Sequence, residues 1–284
     1  LIVKDFFHRS TGTMTYVAYQ GHDAVIIDPA LDFDLSEMKL GREPLTPIID
    51  FIRKNDLKVH WILETHVHAD HVTGADLLKS EFPSAKVAIS EKVCDVQRTF
   101  KSIFGLKNDA FAEGWPFDRL LKDGDEIQAG ELSFKVLATP GHTPACLCYV
   151  NAEGVFTGDA IFMPKGGTGR CDFPGGDAQQ LFQSIQRIYQ LKDSTPLYVG
   201  HDYPPADQSP NFKTSVEEEK QSNNHVKAET PKDEFVKFRE TRDKTLSLPK
   251  LFYPSLFLNM RGGKLPDKTA SGQRFITIPI SASF

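Results

Sequence analysis

Residues 65–71 read Thr-His-Val-His-Ala-Asp-His, which packs three imidazoles and a carboxylate into six positions just after an apolar run ending at Leu63. Neutral imidazole nitrogen and carboxylate oxygen are the donors that borderline metal ions prefer. A loop between a strand end and a helix start lets several such donors converge on one point. A solvated polar loop would account for a single His or Asp, but not for this density directly behind a strand. The chain must therefore fold so that a sheet edge carries a metal-binding loop.

Three more residues are placed in the same way. His142 in Thr139-Pro140-Gly141-His142-Thr143, Asp159 in Thr157-Gly158-Asp159 and His201 in Gly200-His201-Asp202-Tyr203 each follow a strand-like segment and sit among turn residues. Five of the nine histidines thus fall at strand ends. The other four, His8, His22, His60 and His225, have no such partners and read as surface or core residues.

Strand candidates are Thr15–Ile27, a hairpin about Gly21-His22-Asp23, then Lys58–Glu64, Lys86–Ser90, Leu132–Ala138, Ala145–Val150, Val155–Thr157 and Leu197–Val199. Asp177 with Gln180, followed by Leu181, Phe182, Ile185, Ile188 and Tyr189 on one face, predicts a capped helix over about 177–191. Ser215 with Glu218 and Thr230 with Pro231 predict two more helix starts, so the last third is ordered. Strands in consecutive runs with helices between blocks point to an α+β fold of two mixed sheets packed together with helices outside. Residues 92–122 carry weak periodicity and read as an irregular insertion near the surface. The pattern from Pro249 onward is looser.

A formal charge of -5 offers no footprint for a phosphate backbone, which disfavours a nucleic-acid partner. No apolar stretch is long enough to span a membrane, and Lys4 and Asp5 break the opening run before it could act as a signal peptide. The chain reads as cytoplasmic, with residues before Leu1 removed or missing. The four cysteines, Cys94, Cys146, Cys148 and Cys171, form no Cys-x-x-Cys pair and read as buried side chains in a reducing compartment.

The order H-x-H-x-D-H, then a lone His, then an Asp in a T-G-D turn, then a last His resembles the metallo-β-lactamase superfamily. That resemblance implies an αββα sandwich with a metal site along one edge of the two sheets. It places His66, His68 and His142 at one metal position and Asp70, His71 and His201 at the other, with Asp159 between them. Longer stretches, TPGHTPACLCYV, FTGDAIF, GRCDF, GHDY, SVEEEK and EFVKF, resemble the persulfide dioxygenase branch over about residues 10–267. The expected organisation is a single domain over 1–284, with the insertion at about 92–122 and a C-terminal elaboration from about 213.

In that branch one Fe(II) is held by two His and one Asp, which map onto His66, His142 and Asp159. Two imidazoles and a carboxylate on one face of an iron leave positions open for a thiolate and dioxygen. The implied reaction converts a glutathione-like persulfide and O2 to sulfite and the thiol, with a homodimer also open. His68, Asp70, His71 and His201 then orient ligands and protons, or else form a second metal site. Arg170 matches a family arginine near the thiol pocket, with an ion pair to Asp172 as the structural alternative. Tyr203 matches a family tyrosine beside the iron, and Tyr203 and His201 are the candidate catalytic residues. The rival reading is a two-zinc hydrolase of the glyoxalase II type, cleaving a glutathione thioester with metal-bound water. Gly167-Thr168-Gly169-Arg170-Cys171-Asp172 departs from the Gly-Cys-Gly-Arg-Thr-Asp of many members, at a place where the thiol carrier could be selected.

Overall fold

The computed structural model describes residues 1–106 and 113–280. The chain opens with β1 (Ile2–His8), β2 (Thr13–Gln20) and β3 (Asp23–Ile27), followed by β4 (Ala30–Asp34), β5 (Lys39–Gly41), α1 (Thr46–Lys54), β6 (Lys58–Leu63), β7 (Val72–Thr73), α2 (Ala75–Glu81), β8 (Lys86–Ser90), α3 (Val93–Ile103) and β9 (Arg119–Leu121). The second half holds β10 (Glu126–Ala129), β11 (Leu132–Ala138), β12 (Leu147–Asn151), β13 (Gly154–Gly158), α4 (Ala178–Tyr189), β14 (Pro196–Val199), β15 (Lys213–Ser215), α5 (Val216–Ser222), α6 (Lys232–Asp243) and α7 (Phe252–Asn259).

One sheet runs β1-β2-β3-β6-β8-β9 and the other β10-β11-β12-β13-β14-β15, with a small sheet β5-β4-β7 beside them. The two-residue period of the strands decides which side chains face which layer. Tyr16, Ala18, Val25 and Ile27 point between the sheets, against Phe134, Val136, Tyr149 and Phe156. Val17, Ala24 and Ile26 point the other way, onto Ile48 and Ile52 of α1, Leu78 of α2, Phe100 of α3 and Leu256 of α7. On the far side Cys148, Val155 and Leu197 meet Leu181, Ile185 and Ile188 of α4, Val216 of α5 and Phe235 of α6. These layers are the expected α+β sandwich with helices outside.

Asp177 caps α4 by accepting from the Gln180 amide, and Ser215 caps α5 by accepting from the Glu218 amide. The third start differs from expectation. Pro231 is the N-cap of α6, and the Thr230 hydroxyl accepts instead from the Lys227 amide at 2.8 Å, closing the turn before the helix.

The stretch 92–122 is also less irregular than its weak pattern suggests. Val93, Val96, Gln97 and Phe100 recur on the buried face of α3, and polar residues between them dilute the apolar signal. Gln97 is buried because its amide donates to the Trp115 and Met260 carbonyls and its oxygen accepts from the Gly114 amide. Residues 107–112 of that stretch lie outside the described residues. The last helix, α7, is buried along most of its length.

Candidate metal centre

β3 and β6 run parallel with Ile27 beside Leu63, so Asp28 and the 65–71 loop leave the sheet at the same edge. Asp28 anchors the loop: its two oxygens accept from the Thr65 amide and the Thr65 hydroxyl, each at 2.7 Å. From the other side Asn259 of α7 donates to the His68 and His71 carbonyls at 2.8 and 2.7 Å and accepts from the Thr73 amide. The second sheet supplies the remaining donors, His142 from the β11–β12 loop, Asp159 after β13 and His201 after β14. Close backbone approach demands glycine at two of these turns. Gly158 has φ +49° and a side chain there would meet Thr65, while a Cβ on Gly200 would stand 2.7 Å from Asp159 Oδ1.

The expected donors form two groups. His66, His142 and Asp159 bring one donor atom each within 4.8 Å of one another. The Nε2 atoms of His66 and His142 lie 3.9 and 3.7 Å from Asp159 Oδ2. Their other nitrogens are tied to neutral groups. His142 Nδ1–H donates to the Arg170 carbonyl at 2.6 Å. His66 Nδ1 meets the Thr65 hydroxyl oxygen at 3.0 Å, and that hydroxyl spends its own proton on Asp28. Both Nε2 lone pairs are therefore free to bind a metal.

The second group is His68, Asp70, His71 and His201, again within 4.8 Å. His68 falls in this group by donor distance, and its ring centroid also lies 4.0 Å from that of His66. Asp28 and Glu64 hold its Nε2 at 3.1 and 3.3 Å. His201 Nε2 stands 3.4 Å from both Asp70 and Asp159, and His71 Nδ1 stands 3.1 Å from the Thr13 hydroxyl.

Electrostatics sets His68 and His201 apart from the other imidazoles of the site. Burial, with His68 and then His142 adding to it, holds His66 well below the usual imidazole range. Burial also lowers His142, against the pull of Asp159. Burial opposes the charge on His68 as well, but Asp28 and Glu64 outweigh it and push that imidazole well up. His201 is raised by Asp159 and Asp70 against the same burial. His71, buried beside His68, falls to about 4.

His66 Nε2, His68 Nδ1, His71 Nε2 and Asp159 Oδ1 are buried without a hydrogen-bond partner. Orphaned buried polar atoms are costly, and a cation among them would satisfy them at once. The donor set thus fits a metal ion.

A cavity of about 490 Å³ opens beside Asp70, His142, Asp159 and His201. Tyr203 forms part of its wall, 70% exposed, with its ring parallel to that of His201 at 5.8 Å between centroids. Arg170 borders the cavity too, but it forks onto Asp172 with two contacts of 2.6 Å and donates to the Ser247 carbonyl.

The sequence reading missed Asp28, Glu64, Thr13 and Asn259. Asp28 could have been suspected as a carboxylate closing a strand, and Glu64 as a charge ending an apolar run. Asn259 carried no signal.

The sequence profile of the metallo-beta-lactamase superfamily matches residues 10–201. Among curated proteins the chain is 41% identical to "Glyoxylase B2" of Dictyostelium discoideum, over 96% of this chain and 94% of that one. It is 31% identical to the mitochondrial "Persulfide dioxygenase ETHE1" of Bos taurus, over 88% of this chain and 83% of that one. Among solved structures it is similar to ETHE1 from Myxococcus xanthus, with TM-score 0.73 and 31% identity over 93% of this chain and all of that one. Among the described residues no helix is long and apolar enough to cross a membrane.

Proposed function

The chain belongs to the metallo-β-lactamase superfamily, and from that premise we propose that it is an iron-dependent persulfide dioxygenase acting on a glutathione-like persulfide. The observation that carries this reading is the difference between the two donor groups. His66 and His142 both have their outer nitrogens on neutral acceptors and their Nε2 atoms free beside the Asp159 carboxylate, whereas in the second group Asp28 and Glu64 hold His68 at Nε2. His66, His142 and Asp159 would hold one Fe(II), which when bound supplies Lewis acidity toward sulfur and the electrons that activate O2.

The chain's own residues do the rest. The Arg170 carbonyl and the Thr65 hydroxyl fix the two imidazole tautomers, the outer support that metal-binding histidines commonly need. Asp28 and Glu64 keep the Nε2 proton of His68 engaged, so that imidazole acts as a hydrogen-bonded wall of the site. Tyr203 and His201 line the cavity as a parallel pair and would contact the thiol there. Arg170, held by Asp172, shapes the cavity.

Residues 1–284 are taken as one folding unit, because α7 near the C-terminus reaches back through Asn259 to the metal loop. Four unpaired cysteines suit a reducing cytoplasm.

The second reading is a two-zinc thioester hydrolase. It is favoured by the 41% identity to a protein named for glyoxylase and by the presence of all seven donors. Metal analysis of the freshly purified protein, combined with oxygen uptake on glutathione persulfide, separates the two. One iron per chain with persulfide-dependent uptake supports the dioxygenase. Two zincs with thioester hydrolysis and no uptake sink it.

A further inference from the structure

Three arginines border the 490 Å³ cavity among the described residues, and two of them are already engaged. Arg170 has its fork on Asp172 and its third nitrogen on the Ser247 carbonyl. Arg239 is buried, pairs with Asp243 one turn along α6, and donates to the Thr168 carbonyl at 3.2 Å. Arg242 is different. It lies at the exposed end of α6, and among the described residues its guanidinium has neither a carboxylate nor a hydrogen-bond acceptor. Of the carboxylates bordering the cavity, Asp70 and Asp159 belong to the metal donors, and Asp202 accepts from the Tyr203 and Asn211 amides. The cavity thus carries an unmatched guanidinium.

His225, a surface or core residue by its sequence context, borders the same cavity. Its Nδ1 accepts from the Thr168 amide at 2.9 Å, so the ring carries its proton on Nε2. Burial, and then Arg239 and Arg242, push this imidazole down to about 4, which keeps it in that neutral form at neutral pH. The Nε2–H is turned away from the Thr168 turn, and no described residue accepts from it. The same turn leads to the metal centre. A Cβ on Gly169 would stand 3.1 Å from His142 Nδ1, and one on Gly167 would run into His225. From one contact to the other is three residues, at most about 10 Å of chain. Thr168, where many family members have Cys, also accepts from Arg239 on its hydroxyl at 3.3 Å, and the Cys171 amide donates to Asp243 at 2.8 Å. Those bonds on either side of Arg242 fix the end of α6 against the turn.

We propose that Arg242 and the His225 Nε2–H form the receptor for a carboxylate of the thiol carrier, and so select a peptide-sized anionic thiol over a short or a neutral one. The inference rests on the reading of this cavity as the thiol site. A guanidinium fork matches a carboxylate, and the neutral N–H beside it adds a donor without a second charge to be balanced. With the sulfur beside His142 and Asp159, the receptor lies about as far away as the three-residue turn is long. A tripeptide thiol reaches that far, whereas a single cysteine does not. Between the two ends Phe162, Met163 and Leu246 give the carrier apolar wall to lie against.

The test uses the iron-loaded full chain. Oxygen uptake gives KM and kcat for glutathione persulfide, and calorimetry reads binding of S-methylglutathione and of the same compound with both carboxyls amidated. Arg242→Gln should raise KM and weaken S-methylglutathione about tenfold, the low end for a hydrogen bond to a charged group, while kcat and iron content stay within about twofold. Arg242→Lys should recover part of that loss, since it keeps the charge without the fork. His225→Phe keeps the ring against Phe238, removes the donor, and should weaken binding about threefold. The amidated compound should bind wild type about tenfold more weakly than its parent and be indifferent to Arg242→Gln. Lys244→Gln, the same loss of charge two residues on and outside this cavity, should change nothing. Equal binding of the two compounds to wild type overturns the receptor, as does an unchanged KM in Arg242→Gln. A loss shared by Lys244→Gln or by the amidated compound overturns it too. Absence of oxygen uptake by the wild type is a separate failure, that of the dioxygenase reading, and the calorimetric pair then decides the receptor by itself.

Discussion

The two donor groups sit side by side at one sheet edge, with similar residue types and similar burial, yet they differ in what holds the far side of each ring. In the first, His66 and His142 lean on a hydroxyl and a peptide carbonyl and stay neutral with Nε2 free. In the second, Asp28 and Glu64 hold His68 at Nε2, whereas His71 leans on the Thr13 hydroxyl with Nε2 free, as His66 does on Thr65, and His201 meets Asp70 and Asp159 through Nε2. A row of imidazoles is therefore no measure of how many metals a site holds. The partner on the opposite nitrogen decides which of them offers a lone pair.

Ligand removal is the strongest way to break this comparison. His142→Ala or Asp159→Ala should lose essentially all iron and more than about a hundredfold in activity, beyond the usual cost of losing an outer partner. Elemental analysis alongside oxygen uptake checks it. His201→Ala should keep most of its iron while activity drops about 10–100-fold. Full loss of iron in that variant would mean the two groups act as one.

A finer cut is Thr65→Val, which strips His66 Nδ1 of its acceptor and Asp28 of one donor. Iron affinity in chelator competition should weaken about 10–100-fold, with Thr65→Ser restoring it. Unchanged affinity would show that the neutral support is dispensable.

The smallest effect on the metal is expected from Glu219→Gln in α5, outside both groups. Burial pushes Glu219 up to about 8 from the usual 4.5. At neutral pH the folded chain thus holds a proton that the unfolded chain has released. The stability from this group is complete below about pH 4.5 and is lost as pH rises to about 8. The variant should remove that slope and exceed the parent above pH 8 by up to about 5 kcal/mol, at about 1.4 kcal/mol per unit over the roughly 3.5 units between the two values. Iron content should not change, and denaturant melts at pH 5 and pH 8.5 read the difference.

Much of this was legible in one dimension because the chemistry is local. H-x-H-x-D-H, the turns before His142, Asp159 and His201, and the caps at Asp177 and Ser215 each act within a few residues. The buried face of α3 was harder to see, since Gln97 is buried by contacts with Trp115 and Met260 that no pattern near it announces. Thr230 looked like a cap, but its hydroxyl found a nearer amide in Lys227. His8 looked idle because its partners, Asp32 and the Thr11–Thr13 pair, come together only when β4 and the β1–β2 turn are folded beside the loop.

The sequence by itself determined which atoms could bind a metal, that they lie at strand ends, and that strands and helices alternate in a way that stacks two sheets between helices. Periodicity and turn chemistry are short-range, so they survive being read along a line. Only the tertiary structure decided that Asp28 and Glu64 hold His68, that Arg170 pairs with Asp172, and that Asn259 of α7 clamps the metal loop. Those outcomes depend on which side chain lies within about 3 Å of a given nitrogen, and that distance is set by segments far apart in the chain.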